Sequence, residues 1–315
     1  MKPGTLPKGL HRFPIPTPFP VGNINVYFLE GEQPTLVDAP PRGALFVDRL
    51  ESCLREAGYS IGDIKRLIIT HPHFDHFGSA AMIVERSGAD ILIHKDAAKY
   101  LEQFPDDFLE DMAYYRSLLK KSGAPPEIKP TVPLDDWILE YGCRTSVSGY
   151  IGEGDVIKTD AGPFRIVAVP GHTPWCLLLY NTESGAAITG DFLLTEISSN
   201  AIFQRPANAP PGYKSLKSYI SSLRKVRDLA PCVALPGHGE IIWDVRARIE
   251  YILSFLDDRK ELIRSTLEKR GQLTVYQLLR ELFPTVIGHD IILALSEIHG
   301  FLELLADEKT PAGKV

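Results

Sequence analysis

The chain has 315 residues, of which 44% are hydrophobic and 23% are charged. This balance supplies enough apolar side chains for a sizeable core and excludes a disordered chain. The formal net charge is −6. No overall basic field therefore attracts nucleic acid or an anionic membrane, and both partners are disfavoured.

Cysteine usage and the N-terminal segment indicate the compartment. The four cysteines are scattered and form no C-x-x-C pair, which is typical of a reducing environment. The N-terminal segment is rich in proline and lacks the apolar region of a signal peptide. No stretch approaches the roughly 20 apolar residues of a membrane span. We therefore expect a cytoplasmic protein without a membrane partner.

Short strands alternate with helices in the first third of the chain. After a proline-rich lead-in, the apolar pattern predicts strands over 25–29, 34–37, 64–70 and 91–94 and helices over 45–56 and 77–86. Strands and helices that alternate at short spacing favour an α/β sandwich.

Residues 96–148 interrupt this rhythm. They contain a helical stretch over 107–121 and a proline-rich linker over 124–133. We interpret the segment as a helical insertion that forms a lid or one wall of a substrate pocket. Its candidate wall residues are Tyr114, Tyr115 and Trp137.

Strand signals resume after the insertion and stop near residue 244. The pattern predicts strands over 155–158, 164–169, 176–180, 186–189 and 232–235 and a helix over 213–229. From residue 245 onward only helical periodicity remains, over 246–269, 275–282 and 290–305. We therefore expect one domain over residues 1–244 and a small helical module over residues 245–315.

The strongest chemical signal is the run HPHFDH, in which His71, His73, Asp75 and His76 directly follow an apolar strand. A turn at the end of a strand brings such side chains toward one point. Histidine and carboxylate ligands suit zinc and also iron or manganese. The run therefore predicts a metal site.

Three further ligand-type residues share this placement. His172, Asp191 and His238 each follow a predicted strand, and a glycine precedes each of them. Glycine lets the backbone bend sharply and approach a metal closely. A single histidine after a glycine is usually only a loop residue, but five of the nine histidines fall in this one pattern. A structural role requires none of these residue types at this spacing.

The runs HPHFDH, GHT, GD and PGHG, in this order, resemble the metallo-β-lactamase superfamily over roughly residues 20–242. The resemblance implies an αββα sandwich with two metal ions at one edge of its sheets. It implies that His71, His73 and His172 hold the first metal. It also implies that Asp75, His76 and His238 hold the second, and that Asp191 bridges both. Zinc is the expected metal, with iron and manganese as alternatives.

The expected chemistry uses a water shared by the two metals. Two cations depress the pKa of such a water from 15.7 toward about 7, and the resulting hydroxide attacks an electrophilic carbon or phosphorus. A cysteine nucleophile is then unnecessary, so Cys176 is interpreted as a buried thiol. Asp75 is the candidate catalytic residue, because it can also accept a proton. Asp38, at the end of the second strand, is expected to support the site by contacting a ligand.

The ligand set and the tail bear on the branch of the superfamily. Seven ligands without a cysteine resemble the glyoxalase II, lactonase, phosphodiesterase and RNase Z branches. There is no recognisable basic cluster for glutathione, and Trp175 predicts a bulky wall after His172. The tail, with LTVYQLLRELFP and HDIILALSEIHGFLELLADEK, resembles the winged-helix tail of lactamase-beta-2-like hydrolases.

Charge argues against a nucleic-acid role for this tail. From residue 246 onward it has ten lysine and arginine residues against eleven aspartate and glutamate residues, which gives little attraction for phosphate. We therefore expect its apolar side chains to pack on the catalytic domain or on the second subunit of a homodimer.

Four functions remain open at this point. The first is a dinuclear hydrolase that uses a metal-bridging hydroxide on a small thioester, ester or lactone. The second is an endoribonuclease or phosphodiesterase with the same metals. The third is a persulfide dioxygenase-like oxidoreductase, in which two histidines and one aspartate hold a single iron. The fourth is a winged-helix binding protein with a vestigial site, against which the intact ligand set argues. We favour the first.

Overall fold

The computed structural model describes residues 5–128, 134–288 and 290–309, which form two β-sheets flanked by helices. The first sheet has the strand order β1-β2-β3-β4-β5-β6. Its strands are β1 (Leu10–Ile15), β2 (Ile24–Leu29), β3 (Thr35–Val37), β4 (Arg66–Ile68), β5 (Asp90–Ile93) and β6 (Gly149–Tyr150). The first three are antiparallel, and β3 to β6 run parallel.

The second sheet has the order β11-β10-β9-β8-β7. Its strands are β7 (Val156–Ile157), β8 (Phe164–Ala168), β9 (Leu177–Asn181), β10 (Ala186–Gly190) and β11 (Val233–Pro236). Strands β10 and β11 are parallel, while β7 to β10 pair antiparallel. Consequently β8, β10 and β11 all run in the same direction, and their carboxyl ends meet at one edge.

The helices connect these strands and extend the chain beyond them. They are α1 (Ala44–Glu56), α2 (Phe74–Phe77), α3 (Ala80–Ser87), α4 (Ala98–Glu102), α5 (Asp106–Lys121), α6 (Leu134–Tyr141), α7 (Ser215–Leu229), α8 (Val245–Arg270), α9 (Val275–Leu282) and α10 (Asp290–Lys309). In the part of the chain described, none of them is both long enough and apolar enough for a bilayer crossing.

Three apolar clusters order the layers of the fold. One lies between the two sheets and includes Val37, Leu179 and Leu235. A second joins the first sheet to α1 and α3, and a third joins the second sheet to α7. Each sheet is therefore covered by helices on its outer face, and the predicted αββα sandwich is confirmed.

The sequence pattern misses β1, which lies inside the proline-rich lead-in. Residues Leu10, Phe13 and Ile15 of this strand are buried, and the strand pairs antiparallel with β2. Pro14 cannot donate a ladder hydrogen bond, but β1 is the edge strand of its sheet, where proline is tolerated. Pro14 therefore hid this strand in the sequence, because the energetic cost of a proline depends on whether its strand lies at the edge of the sheet or inside it.

The helical insertion and the helical tail are both present. Helices α4, α5 and α6 form the insertion, although residues 129–133 of the proline-rich linker lie outside the described residues. The tail consists of α8, α9 and α10, with no strand among its described residues, so the winged-helix resemblance is not confirmed. Ile249, Leu279 and Phe301 of the tail share the third cluster with Phe192 and Tyr219, which places the tail on the second sheet and α7.

Candidate metal centre

Four strand ends deliver the predicted ligands to one edge of the sandwich. The run with His71 and His73 follows β4, and α2 carries Asp75 and His76. His172, Asp191 and His238 follow β8, β10 and β11 respectively. A backbone hydrogen bond from Leu177 to the carbonyl of Thr70 and a bridge between Ile24 and His238 tie the two sheets together here. All seven predicted side chains meet.

The first group of side chains centres on His73. The Nδ1 atom of His73 lies 3.1 Å from His71 Nε2 and 3.0 Å from His172 Nε2. His71 is fully buried, and His172 is 7% exposed. Three imidazole nitrogens therefore converge within the space that a single cation needs.

The second group lies beside the first. His76 Nε2 lies 3.2 Å from His238 Nε2, and His238 Nε2 lies 3.4 Å from Asp75 Oδ2. Asp191 reaches both groups, with Oδ1 at 3.4 Å from His76 Nε2 and Oδ2 at 4.0 Å from His172 Nε2. The potential ligand atoms of His71, His76 and Asp191 also lie within 4.8 Å of one another, so the two groups are continuous.

Hydrogen bonds on the outer side of the rings fix their tautomers. The Nδ1–H of His172 donates to the carbonyl of Asn200, and the Nδ1–H of His238 donates to the carbonyl of Asn23, both at 2.9 Å. His76 donates from Nδ1 to Asp38 Oδ2, also at 2.9 Å. Each of these rings therefore turns an Nε2 lone pair toward the cluster.

This arrangement fits a cation better than it fits the side chains alone. The Nε2 lone pairs of His76 and His238 face each other, and two acceptors at that distance repel unless positive charge lies between them. Asp191 Oδ1 is buried with no hydrogen-bond partner. Imidazole nitrogen and carboxylate oxygen are the usual ligands of zinc, iron and manganese. The donor set is therefore that of a divalent metal site.

Asp38 links the two groups, as predicted. Its Oδ1 accepts from the backbone N–H of Thr70 at 2.8 Å, and its Oδ2 accepts from the Thr70 hydroxyl at 2.9 Å and from His76. The Thr70 oxygen in turn accepts from His71 Nδ1 at 3.0 Å. One carboxylate thus orients a histidine of each group, one directly and one through Thr70.

The charge states of the side chains suit ligation. Burial lowers the pKa of His73 to about 3 and also lowers the pKa values of His71 and His172, so these rings are neutral with free lone pairs. Burial lowers the pKa values of His76 and His238 and raises that of Asp191, but the attraction between these groups reverses each shift. The pKa values of both rings therefore lie above their usual range, and that of Asp191 lies well below it. This carboxylate is therefore ionised and attracts positive charge to the centre.

Two glycines make the close approach of the strands feasible. Gly190 has a φ of 48°, a left-handed conformation that glycine adopts without strain, and it leads directly to Asp191. At Gly237 a Cβ atom would lie 2.4 Å from Asp191 Oδ1 and 2.8 Å from His76 Cε1. Only glycine therefore fits before His238, because the gap between the candidate ligands Asp191 and His76 leaves no room for a Cβ atom.

A cavity of about 440 Å³ opens on the metal centre at His73 and Asp75. Two of the three predicted wall residues, Tyr115 and Trp137, line it, as does Trp175. Tyr114 instead stacks on Phe203, with ring centroids 6.3 Å apart, so the prediction for this residue is wrong.

Sequence reasoning missed one wall of this cavity. Ile292 and Leu293, at the start of α10, line it together with Ile197 and Ile202 from the loop after Asp191. The side-chain amide of Asn200, in the same loop, donates to the carbonyl of Leu293 at 3.3 Å. No local pattern indicates this contact, because it joins segments about ninety residues apart.

Two further residues lie outside the ligand groups, and one of them, Cys176, agrees with its interpretation from the sequence as a buried thiol. Cys176 is buried beside Thr173, and burial raises the pKa of its thiol to about 12. The thiol is thus protonated and no nucleophile. His94 accepts a hydrogen bond from the backbone N–H of Asp96 through Nδ1 and belongs to none of the ligand groups found among the described residues.

The profile of the metallo-beta-lactamase superfamily matches residues 19–238, which include all seven candidate ligands. The chain belongs to this superfamily, and it is a metal-dependent hydrolase.

Individual proteins support the same assignment. The probable metallo-hydrolase YqjP of Bacillus subtilis is 30% identical over 295 residues, covering 94% of this chain and 91% of that one. The hydroxyacylglutathione hydrolase GloC of Haemophilus influenzae is 29% identical over 179 residues, covering 56% and 69%. The metallo-beta-lactamase family protein TTHA1429 of Thermus thermophilus is 26% identical, with a TM-score of 0.78 over 95% and 94% of the two chains.

Proposed function

We propose that the protein is a dinuclear metal-dependent hydrolase of small thioesters, esters or lactones. The observation that carries the proposal is the pair of adjoining ligand groups, each with its ring nitrogens aimed inward and with one carboxylate within reach of both. Superfamily membership defines the hydrolytic class, whereas the number of metals and the substrate are proposals.

The ligand assignment follows the two groups. His71, His73 and His172 would hold one metal, and Asp75, His76 and His238 the other. Asp191, whose two oxygens reach opposite sides of the cluster, would contact both metals. Zinc suits this set of five histidines and two carboxylates, and iron or manganese accepts the same ligands.

Divalent cations at these positions would supply an acidified water as nucleophile and a Lewis acid for the carbonyl oxygen. The chain supplies the rest. In the net reaction a C–O bond forms to water, the C–S or C–O bond of the substrate breaks, and the leaving atom gains a proton. Asp75, which lines the cavity, is placed to accept and return that proton.

The cavity argues for a small acyl substrate rather than for RNA. Its described lining has a single cationic residue, Arg116, against three acidic residues, Asp75, Asp111 and Asp290. A phosphodiester chain requires the opposite balance. The name of the relative GloC gives an acylated thiol, hydroxyacylglutathione, as the substrate of that protein, and this chemistry suits an apolar cavity beside a metal centre.

The test pairs metal content with turnover on purified protein. We expect about two zinc ions per chain and hydrolysis of a thioester, ester or lactone reporter, with no cleavage of a phosphodiester reporter. His73→Ala should lose one metal and abolish turnover, while the matched control His94→Ala should retain both. A single iron per chain without hydrolysis, or full activity in His73→Ala, would contradict the proposal.

A further inference from the structure

We propose that the cavity beside the metal centre is an acyl-chain pocket that selects thioesters or esters with an apolar acyl group of about eight to twelve carbons. This inference rests on the proposed function and adds the part of the substrate that the protein recognises.

The lining of the cavity is predominantly apolar. Of its 23 residues, 16 are aliphatic, aromatic or proline side chains. They include Phe19, Met112, Trp137, Ile202 and Ile292. Apolar groups are recognised by removal of their surface from water, at about 0.8 kcal/mol for each buried methylene. The binding free energy of an acyl group in this pocket therefore depends more on the length of its chain than on any polar substituent.

The walls come from widely separated parts of the chain. Among them, Phe19 belongs to the loop between β1 and β2, Met112 to α5, Ile202 to the loop after β10, and Ile292 to α10. The pocket therefore exists only where these distant segments pack together. Ile197, at 55% exposure, places the mouth of the cavity on the side of the loop that follows β10.

Volume sets the size of the group. The cavity measures about 440 Å³, whereas an engineered cavity of about 150 Å³ holds benzene with its six carbons. Part of the space near His73 must hold the reacting carbonyl. By the same proportion a chain of roughly eight to twelve carbons takes about 200–300 Å³, so it fits in the space that remains, and it is well beyond an acetyl group.

Polarity identifies the acyl side of the substrate as the occupant. Natural thiol carriers are polar and commonly anionic, while the described lining is mostly apolar, with Asp75 a candidate metal ligand and Asp111 paired with Arg205. An anionic carrier placed in this cavity would lose its hydration in a predominantly apolar setting. The carrier therefore lies outside, toward the solvent, and the acyl chain lies inside.

The experiment measures kcat/KM for acetyl, butyryl, octanoyl and decanoyl thioesters of N-acetylcysteamine, with S-octyl thioacetate as the reversed compound. Hydrolysis forms a C–O bond from water and breaks the C–S bond, so the thiol released in every case is titrated with a disulfide reagent. We expect octanoyl to exceed acetyl by at least about 100-fold, since each methylene contributes up to about fourfold. S-octyl thioacetate should resemble the acetyl compound.

Two variants narrow the pocket from opposite walls. Ile292→Phe on α10 and Met112→Phe on α5 should each lower the ratio of kcat/KM for octanoyl to kcat/KM for acetyl at least tenfold. Leu262→Phe, on α8 and absent from the lining, is the matched control and should leave this ratio unchanged. Two independent positions keep the test valid if one variant fails to fold, as judged by circular dichroism.

A binding measurement separates this inference from the proposed function. Two of the three tryptophans, Trp137 and Trp175, line the pocket, so their fluorescence reports its occupancy in the zinc-free protein. Octanoate should bind at least tenfold more tightly than butyrate, and Ile292→Phe should remove the difference. If no thioester, ester or lactone is hydrolysed but octanoate binds selectively, the proposed function fails and the pocket stands.

Three results would overturn the acyl pocket. The first is equal kcat/KM for acetyl and octanoyl compounds, and the second is a preference for S-octyl thioacetate, which would place the leaving group inside. The third is an equal loss on both chain lengths in both folded variants, which would indicate a general disturbance of the metal centre.

Discussion

At the scale of single residues, the hydrogen bond that each candidate ligand histidine makes through Nδ1 determines whether its Nε2 can bind a metal. His76, His172 and His238 all donate from Nδ1, and the carboxylate or carbonyl that accepts leaves Nε2 without a proton. A metal ligand of this kind depends on its partner nearly as much as on the ring itself. Substitution of the partner should therefore affect the metal before it affects the fold.

Asp38→Asn tests this dependence. Asparagine tolerates the left-handed backbone found at Asp38, where φ is 62°, so the turn should survive. With its amide oxygen on the Thr70 N–H, its NH₂ group would face His76 Nδ1 and move the ring proton to Nε2. We expect metal affinity at this group to fall about 10- to 100-fold, as measured by competition with a chromophoric chelator.

The matched control is Asp63→Asn, which alters a carboxylate that hydrogen-bonds to Ser60 at the surface. Its metal affinity should equal that of the unmodified protein. Unchanged affinity in Asp38→Asn would show that Asp38 contributes only to the turn.

Gly237→Ala tests the space between the ligands. The added methyl group would press on Asp191 Oδ1 and His76 Cε1 at distances that real Cβ atoms do not reach. We expect metal content to fall below one ion per chain and activity to fall at least 100-fold. Gly152→Ala is the control, since a Cβ atom there meets nothing within 4 Å. Equal metal content in both variants would contradict the crowding argument.

At the scale of elements, one side chain joins the loop after β10 to the insertion. Arg205 pairs with Asp111 at 2.8 Å, with Asp107 at 3.1 Å and with Glu110 at 2.6 Å, all on α5. Asp107 and Asp111 are buried, and Asn208 and Tyr100 add hydrogen bonds to them. The two walls that these segments give the cavity are thus held together by charge.

Arg205→Ala should leave the buried carboxylate of Asp111 without its cation and Asp107 with only Lys99, at 4.0 Å. Removal of one partner from a buried pair costs about 3–5 kcal/mol, measured as the free energy of unfolding in urea. Burial raises the pKa of Asp111, and loss of Arg205 would raise it further. The folded state then binds more protons than the unfolded state above pH 3.8, so stability falls as pH rises. The loss should therefore be larger at pH 7 than at pH 4.5.

The triple variant with Asp107→Asn and Asp111→Asn added to Arg205→Ala is the control for this reading, because it removes the uncompensated charge. It should recover part of the lost stability and lose the pH dependence. An Arg205→Ala protein that loses the same free energy of unfolding at both pH values would refute an electrostatic role for the pairing of Arg205 with α5.

At the scale of the whole molecule, the tail and the catalytic part share one apolar cluster. Ile249, Leu279 and Phe301 pack with Phe192 and Tyr219 across the boundary that the sequence suggests near residue 244. A core that crosses such a boundary cannot lose one side without exposing the other. We therefore propose that residues 1–244 and 245–315 form two parts of a single cooperative unit.

Calorimetry of the metal-loaded protein tests this proposal. We expect one unfolding transition, with a ratio of calorimetric to van't Hoff enthalpy near one. Leu279→Ala, in the tail, should lower the midpoint of that whole transition, since it deletes buried volume at about 2–5 kcal/mol. A separate low-temperature transition that alone responds to Leu279→Ala would show that the tail unfolds independently.

How much the sequence predicted depended on the range of the interactions. The seven candidate ligands follow strands, and a glycine precedes three of them, so local patterns were enough to predict that they would come together. Asp38 was also found, because it ends a recognisable strand. Strand β1 escaped notice because the tolerance of Pro14 depends on its place in the sheet. The cavity wall formed by Ile292 could not be predicted from the sequence, because it arises only when α10 packs on a loop that is distant in the chain.

The two hydrogen bonds of Asn200 have a consequence for how the helical tail and the metal centre evolve. Its carbonyl holds His172, and its amide holds the backbone of Leu293, so a residue of the tail lies two hydrogen bonds from a candidate ligand. A chimera that took its last 70 or so residues from a relative would change the substrate pocket and the orientation of His172 in one step. We therefore expect the sequences of the tail and of the metal centre to change together during evolution. A chimera that exchanges only one of them for that of a relative should bind its metal poorly.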